Sequence, residues 1–227
     1  DELFRQTWPR RLDLALLAIL AAFAAWMNAF AMTPPVYELE RNLAQALGTD
    51  QEVVVLGLIF LVAAVLGPVA LAFLAAAVNR WTMRGNRPAS LRSFVTRYAY
   101  LFVPLGFGIW TAHYLFHLLI GPLTVIPAVQ GFFADVLGLP IFGQADWRLA
   151  AAWMPSASAV RWVQMAAMAV GTAAAALVGW RAATGVHGRT RQAFVEFLPW
   201  LLILVMLAAA AVYVFLLPME MRGNVLG

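Results

Sequence analysis

Five long apolar runs alternate with short polar stretches along this chain of 227 residues. They cover residues 12–32, 52–79, 94–121, 159–184 and 194–217. Each is close to or beyond the roughly 20 residues that a helix needs to cross a hydrocarbon core. Thr33-Pro34-Pro35 ends the first run, because two prolines remove two donors and push the preceding residue toward extended backbone. Gly67-Pro68 is expected to kink the second. The Ala- and Gly-rich fourth run predicts a helix packed inside the bundle, since small residues let backbones approach.

The polar stretches have their own pattern. In residues 35–48, Val36, Leu39, Leu43, Ala46 and Leu47 recur at helical spacing, with Glu38, Glu40, Arg41 and Gln45 elsewhere. That predicts a short helix lying at the membrane surface. Residues 122–158 are too interrupted by Pro and Gly for one span, but 124–137 predict a second interfacial or re-entrant helix, and Trp147 and Trp153 read as headgroup-level anchors. The expected fold is an all-α integral membrane bundle of about five transmembrane helices with one or two interfacial helices, forming a single transmembrane domain over 1–227 that is part of a longer protein.

Composition agrees with this reading. Hydrophobic residues make up 63% and charged residues 11% of the chain, against about a quarter charged in soluble domains. The bilayer is therefore the first partner. The basic residues are all arginine, which together with the Ala-rich helices suggests a bacterial source. The net charge of +4 records topology rather than nucleic-acid binding. Arg5, Arg10 and Arg11 precede the first run, while Arg80, Arg84, Arg87, Arg92 and Arg97 lie between the second and third. Arg181, Arg189 and Arg191 follow at the end of the fourth, and only Arg41, Arg148, Arg161 and Arg222 fall on the other side. By the positive-inside bias, a multi-pass protein of the bacterial inner membrane results, N-terminus in and C-terminus out.

Candidate chemistry centres on the third run, where His113 and His117 stand four apart and so share one helix face. Imidazoles at this spacing can converge on a metal or haem iron, or pass protons. The bland alternative is hydrogen bonding to neighbouring helices. A haem would need a second ligand of another type or from a partner subunit. Met219 and Met221, with Met32 and Met154, fall on the outer side in this topology and suggest a copper site with the histidines; equally, methionine fills gaps in apolar bundles. Arg92, Arg97, Tyr98 and Tyr100 at the mouth of the third run could take a lipid phosphate, a quinone head or an acidic partner, or act as an aromatic and arginine anchor. Asn28, the one amide well inside the first run, could pair with His113 or His117 across the bundle. Glu196 and Asp13 are expected at the interface. No nucleophile–base set, Gly-rich phosphate loop or paired intramembrane carboxylates are present, and no acid falls at mid-membrane. ATPase, hydrolase and proton-driven transporter readings lose support accordingly.

The run from Arg97 to His117 (RYAYLFVPLGFGIWTAHYLFH), continuing to TVIP at 124–127, resembles a segment of bacterial integral-membrane 4Fe-4S-binding, polyferredoxin-like proteins. Asn28-Ala-Phe-Ala-Met-Thr-Pro-Pro-Val-Tyr37 fits the same resemblance, which covers about a third of the chain. These proteins are akin to the membrane ferredoxins of nitrate and nitrous-oxide reductase systems. The resemblance implies electron transfer between cytoplasmic clusters and a membrane or outer acceptor, with a ferredoxin-type domain or redox subunit as partner. That family holds its clusters with cysteines, and this chain has none. Any 4Fe-4S cluster must therefore belong to a neighbouring segment.

Overall fold

The computed structural model describes residues 11–83, 89–151, 155–187 and 189–218. The described residues are helical, with no strand among them. Five helices are long and apolar enough to cross a membrane: Leu12–Phe30, Glu52–Thr82, Leu91–Ile120, Ala157–Thr184 and Thr190–Leu216. The chain divides into two compact units, one of Asp1–Trp110 with Ala167–Gly227 and one of Thr111–Ala166.

In the first unit, α1 (Leu12–Phe30) is followed by a turn and by α2 (Pro34–Leu47). Pro34 sits at the first position of α2, where a missing N–H costs nothing. The same prolines that end α1 thus begin the next helix. Gly48 closes α2 in the left-handed region at φ 64°, its N–H returning to the last turn. The face that α2 buries differs from the expected one. Val36, Glu40 and Ala44 are buried, whereas Leu39 and Leu47 are exposed. Val36 and Ala44 pack with Met27, Val55, Ile59 and Ala64, backed by Trp26 and Phe30.

The second span begins as α3 (Glu52–Phe60), widens to a π-turn at Leu61–Leu66, and continues as α4 (Gly67–Thr82). Pro68 has no N–H to donate and its ring crowds the carbonyl four residues back, so the ladder shifts register just before it. The Gly67 N–H reaches Val62 O, five residues back. A Cβ on Gly67 would stand 2.9 Å from that oxygen, which is why glycine serves there. The third span repeats the device. It starts as α5 (Leu91–Tyr98), tightens to a 3-10 turn at Ala99–Leu101, and becomes α6 (Phe102–Ile120). Pro104 deprives Tyr100 of its helical donor, and the tight turn absorbs the loss.

Glycines set the distances between these helices. A Cβ on Gly106 would lie 2.8 Å from Ala22 Cα of α1. Two positions on, a Cβ on Gly108 would lie 3.0 Å from Gly171 Cα of α8 (Ala157–Thr184). Residues two apart point to nearly opposite sides of a helix, so the third span is wedged between the first and fourth. The fourth span is less interior than its small residues suggested. It buries 28% of its apolar window, whereas α9 (Thr190–Leu216) buries 44%. Phe197, Trp200, Leu204, Leu207, Ala211, Val214 and Phe215 form the inner face of α9, at the three- and four-residue spacing of an amphipathic helix. Small residues gave α8 close contact; large ones gave α9 the core.

The second unit holds the end of α6, a 3-10 turn at Pro122–Thr124, α7 (Val125–Gly131), a π-turn at Phe132–Val136, a loop, and the first turns of α8. The expected helix over 124–137 is therefore present in broken form. Gln130 fastens the loop from both ends of its amide: Nε2 donates to Phe142 O at 3.0 Å and Oε1 accepts from Asp146 N at 3.0 Å. Gln164 of α8 donates to Ala112 O of α6 at 3.3 Å. Trp147 is exposed, as an anchor would be, and Trp153 lies outside the described residues.

Candidate functional site

Two polar groups stand inside apolar helices. The first is the histidine pair. Helical spacing brings the His113 and His117 rings edge to face, with centroids 4.8 Å apart and planes at 80°. Tyr114 meets His113 edge-on at 5.2 Å, and Phe116 meets His117 at 5.4 Å. His113 is buried and His117 half-buried. His113 Nδ1 is enclosed and has no hydrogen-bond partner among the described residues.

A metal or haem iron would need more than this. Among the described residues no three His, Cys, Asp or Glu side chains group closely enough to hold a metal ion. Two imidazoles packed edge to face on one helix do not make a closed coordination shell, and a chain without cysteine cannot hold an iron–sulfur cluster. Met154, Met219 and Met221 lie outside the described residues, so the copper arrangement has no geometry to test it. Asn28 is exposed on α1 rather than interior.

The second group is centred on Glu196. Ser90 caps α5, its hydroxyl accepting from Ser93 N at 3.2 Å. The helix then buries Phe94, Val95, Thr96 and Tyr98. Arg97, at the edge of that face, lays its guanidinium 5.7 Å from the Phe94 ring centroid. From α9, Glu196 enters the bundle with only 2% of its side chain exposed. Its Oε1 accepts from Arg97 Nη1 at 2.5 Å and from the Tyr98 hydroxyl at 2.9 Å. Its Oε2 stands 2.5 Å from His187 Nε2, on the connection between α8 and α9. The Tyr98 ring stacks on Trp200 at 5.2 Å and on Phe197 at 6.2 Å. Phe197 in turn occupies the space where Gly179 of α8 has no side chain.

Burial makes this arrangement electrostatically demanding. A lone buried carboxylate is too costly to keep ionised. Glu196 is compensated by one permanent cation and two further polar partners drawn from two other elements. The bond between Arg97 and Glu196 also sets α5, which opens the third span, beside the first turns of α9 at one end of the bundle. Arg80 near the end of α4, Arg92 at the start of α5, Arg181 near the end of α8, and Arg189 and Arg191 at the start of α9 belong to the same helix ends. At the same end, the Trp200 indole N–H is fully enclosed without a partner among the described residues, as is the side-chain amide of Asn79 on α4.

The expected roles change in three places. Tyr98 is fully buried and Arg97 is mostly buried, so these two hold the bundle together rather than face a headgroup. Arg92 stays exposed and Tyr100 half-buried. Glu196 is interior, not interfacial, and Glu40 is buried as well; Glu196 lies near the start of its span and Glu40 on α2, so neither is an acid at mid-span. The missed signal was local. Ala193, Glu196, Phe197 and Trp200 follow the spacing of a buried face, and Glu40 stands midway between buried Val36 and Ala44. An acid on the apolar face of a helix is a buried acid. Comparison with protein-family models, with curated proteins and with solved structures gives no match for this chain.

Proposed function

We propose that this chain is the membrane domain of an iron–sulfur electron-transfer protein of the bacterial inner membrane. In this reading it relays electrons between 4Fe-4S clusters held on a neighbouring segment or partner and an acceptor in or beyond the membrane. The arginine-rich end, by the positive-inside bias, faces the cytoplasm, where such clusters would dock. The observation that carries the reading is His113: an imidazole buried inside a span, with a ring nitrogen lacking a partner among the described residues. Ionisable groups inside spans are rare and tend to be functional. His113 and His117 together are suited to hold a proton or an acceptor's polar head, and no step is assigned to a metal. The resemblance noted from the sequence supports the same class.

The natural full-length polypeptide, purified without oxygen in mild detergent together with any subunit bound to it, should contain iron and show a broad bleach on reduction. Replacing both imidazoles (His113→Ala with His117→Ala) should leave the iron in place and abolish electron delivery to a membrane acceptor such as a short-chain quinone. Undiminished delivery would remove the site assignment. Copper without iron, or a colourless metal-free protein, would overturn the electron-transfer reading itself.

A further inference from the structure

The Glu196 cluster contains one group more than charge balance requires. Arg97 alone supplies the positive charge that a buried carboxylate needs. Tyr98 supplies a further donor. A merely structural third partner could be any amide or hydroxyl. The chain instead brings in His187, whose side chain retains 11% exposure while that of Glu196 retains 2%. Imidazole is the one side chain whose unperturbed charge changes between about pH 5 and 8, and it can donate from Nε2 whether neutral or charged.

We propose that His187 and Glu196 form a proton-exchange site at the arginine-rich end of the bundle, with His187 exchanging protons at the surface and Glu196 receiving them inside. The step is a proton relay. Hydronium at the surface gives a proton to His187 Nδ1 and leaves water, while the Nε2 proton moves along the 2.5 Å contact to Glu196 Oε2. Only N–H and O–H bonds form and break, and no electron moves. The protonated Oε2 then donates back to Nε2, and reversal of both transfers returns Glu196 to the carboxylate and the ring to its starting tautomer. Arg97 remains charged throughout, so the cluster alternates between neutral and singly positive without losing its hydrogen bonds.

The surroundings favour this assignment. Among the described residues, Arg97 and Tyr98 from α5 and His187 from the connection hydrogen-bond Glu196. On the helices packed against α9, α4 presents buried but non-titrating Asn79, while its Arg80 is exposed; on α1, Asp13 is exposed and pairs with Arg11. On α8, Gly179 meets Phe197 and Arg181 is exposed. No second acid competes for the proton at this site among these residues.

The existence of the site stands apart from the redox reading; its use in redox turnover rests on that reading. The test is infrared difference spectroscopy of the natural full-length protein in nanodiscs, titrated between about pH 5 and 8. A carboxyl band that is lost in Glu196→Gln should change across this range. In His187→Gln, which keeps an N–H donor but cannot titrate, the pH response should disappear while the thermal midpoint stays within a few degrees. A pH-independent band, or an unchanged response in His187→Gln, would overturn the site. Should Glu196→Gln fail to fold, the histidine nitrogen resonance lost in His187→Gln provides the same readout: it must titrate. A second arm measures proton uptake on chemical reduction in proteoliposomes. Loss of that uptake in His187→Gln is the expected result. No redox change in the natural protein would sink the electron-transfer reading and leave the infrared result to decide the proton site.

Discussion

The histidine pair and the glutamate cluster are both polar groups placed in apolar helices, yet they are built in opposite ways. His113 and His117 meet because they are one turn apart on α6, and their contact would exist on an isolated helix. Arg97 and Glu196 meet across 99 residues of chain, and their contact exists only when α5 and α9 are correctly paired. A local pair tells nothing about the fold and contributes little to it. A long-range buried network both depends on the fold and enforces it. The Arg97–Glu196 pair should therefore govern stability, and His113 and His117 should govern electron delivery with little effect on stability.

The largest expected effect follows from removing one side of the buried ion pair. Arg97→Met leaves Glu196 with only Tyr98 and His187 in a buried site, and should cost about 3–5 kcal/mol. Thermal or denaturant unfolding in detergent would read this. Arg97→Met combined with Glu196→Met should recover most of the loss, because two apolar side chains of similar volume leave no unpaired charge. If the double variant is as unstable as the single one, the charges are not what joins α5 to α9.

The same contrast explains what could be read from the sequence. The five spans follow from uninterrupted apolar length, and their observed bounds lie within a few residues of those read from hydropathy. The surface helix at Pro34–Leu47 followed from its periodicity, although its buried face did not. Leu39 and Leu47 look like core residues by side-chain type, but Val36, Glu40 and Ala44 face α1 and α3. In a membrane protein apolar side chains can face lipid, so hydrophobicity no longer indicates which face is inside. That ambiguity also misplaced the Ala-rich fourth span. The histidine pair was legible because its geometry is helical spacing. For the Glu196 cluster, the acid's place among Ala193, Phe197 and Trp200 was readable, but its partners were not, because which arginine reaches which acid depends on how spans three and five pack.

A finer cut through the cluster is Tyr98→Phe. It removes the hydroxyl that donates to Glu196 Oε1 at 2.9 Å and retains the ring stacked on Trp200 and Phe197. A hydrogen bond to a charged group contributes about 1.5–3 kcal/mol, so a loss near 2 kcal/mol is expected. A loss of less than about 0.5 kcal/mol would instead assign Tyr98's contribution to ring packing. In the second unit the comparable device is Gln130, whose amide makes two loop bonds near the surface. Gln130→Ala should cost only about 1 kcal/mol, in line with neutral hydrogen bonds that water can replace. Its mark should be faster exchange of the Asp146 amide hydrogen, with the rest of the chain unchanged.

The smallest effect on stability is expected where the effect on activity is largest. His113 is buried with Nδ1 unpartnered among the described residues, so its polarity contributes nothing favourable to folding that the described contacts reveal. Removing an unsatisfied buried polar atom is near neutral or stabilising when shape is kept. His113→Leu, close in volume, should thus change the unfolding free energy by less than about 1 kcal/mol. The edge-to-face contacts with Tyr114 and His117 are lost, which offsets part of the gain. If the variant is as stable as the natural protein and still fails to deliver electrons, the imidazole was retained for chemistry. A loss of several kcal/mol would mean instead that His113 is a packing residue, and the division of labour between the two groups would collapse into one.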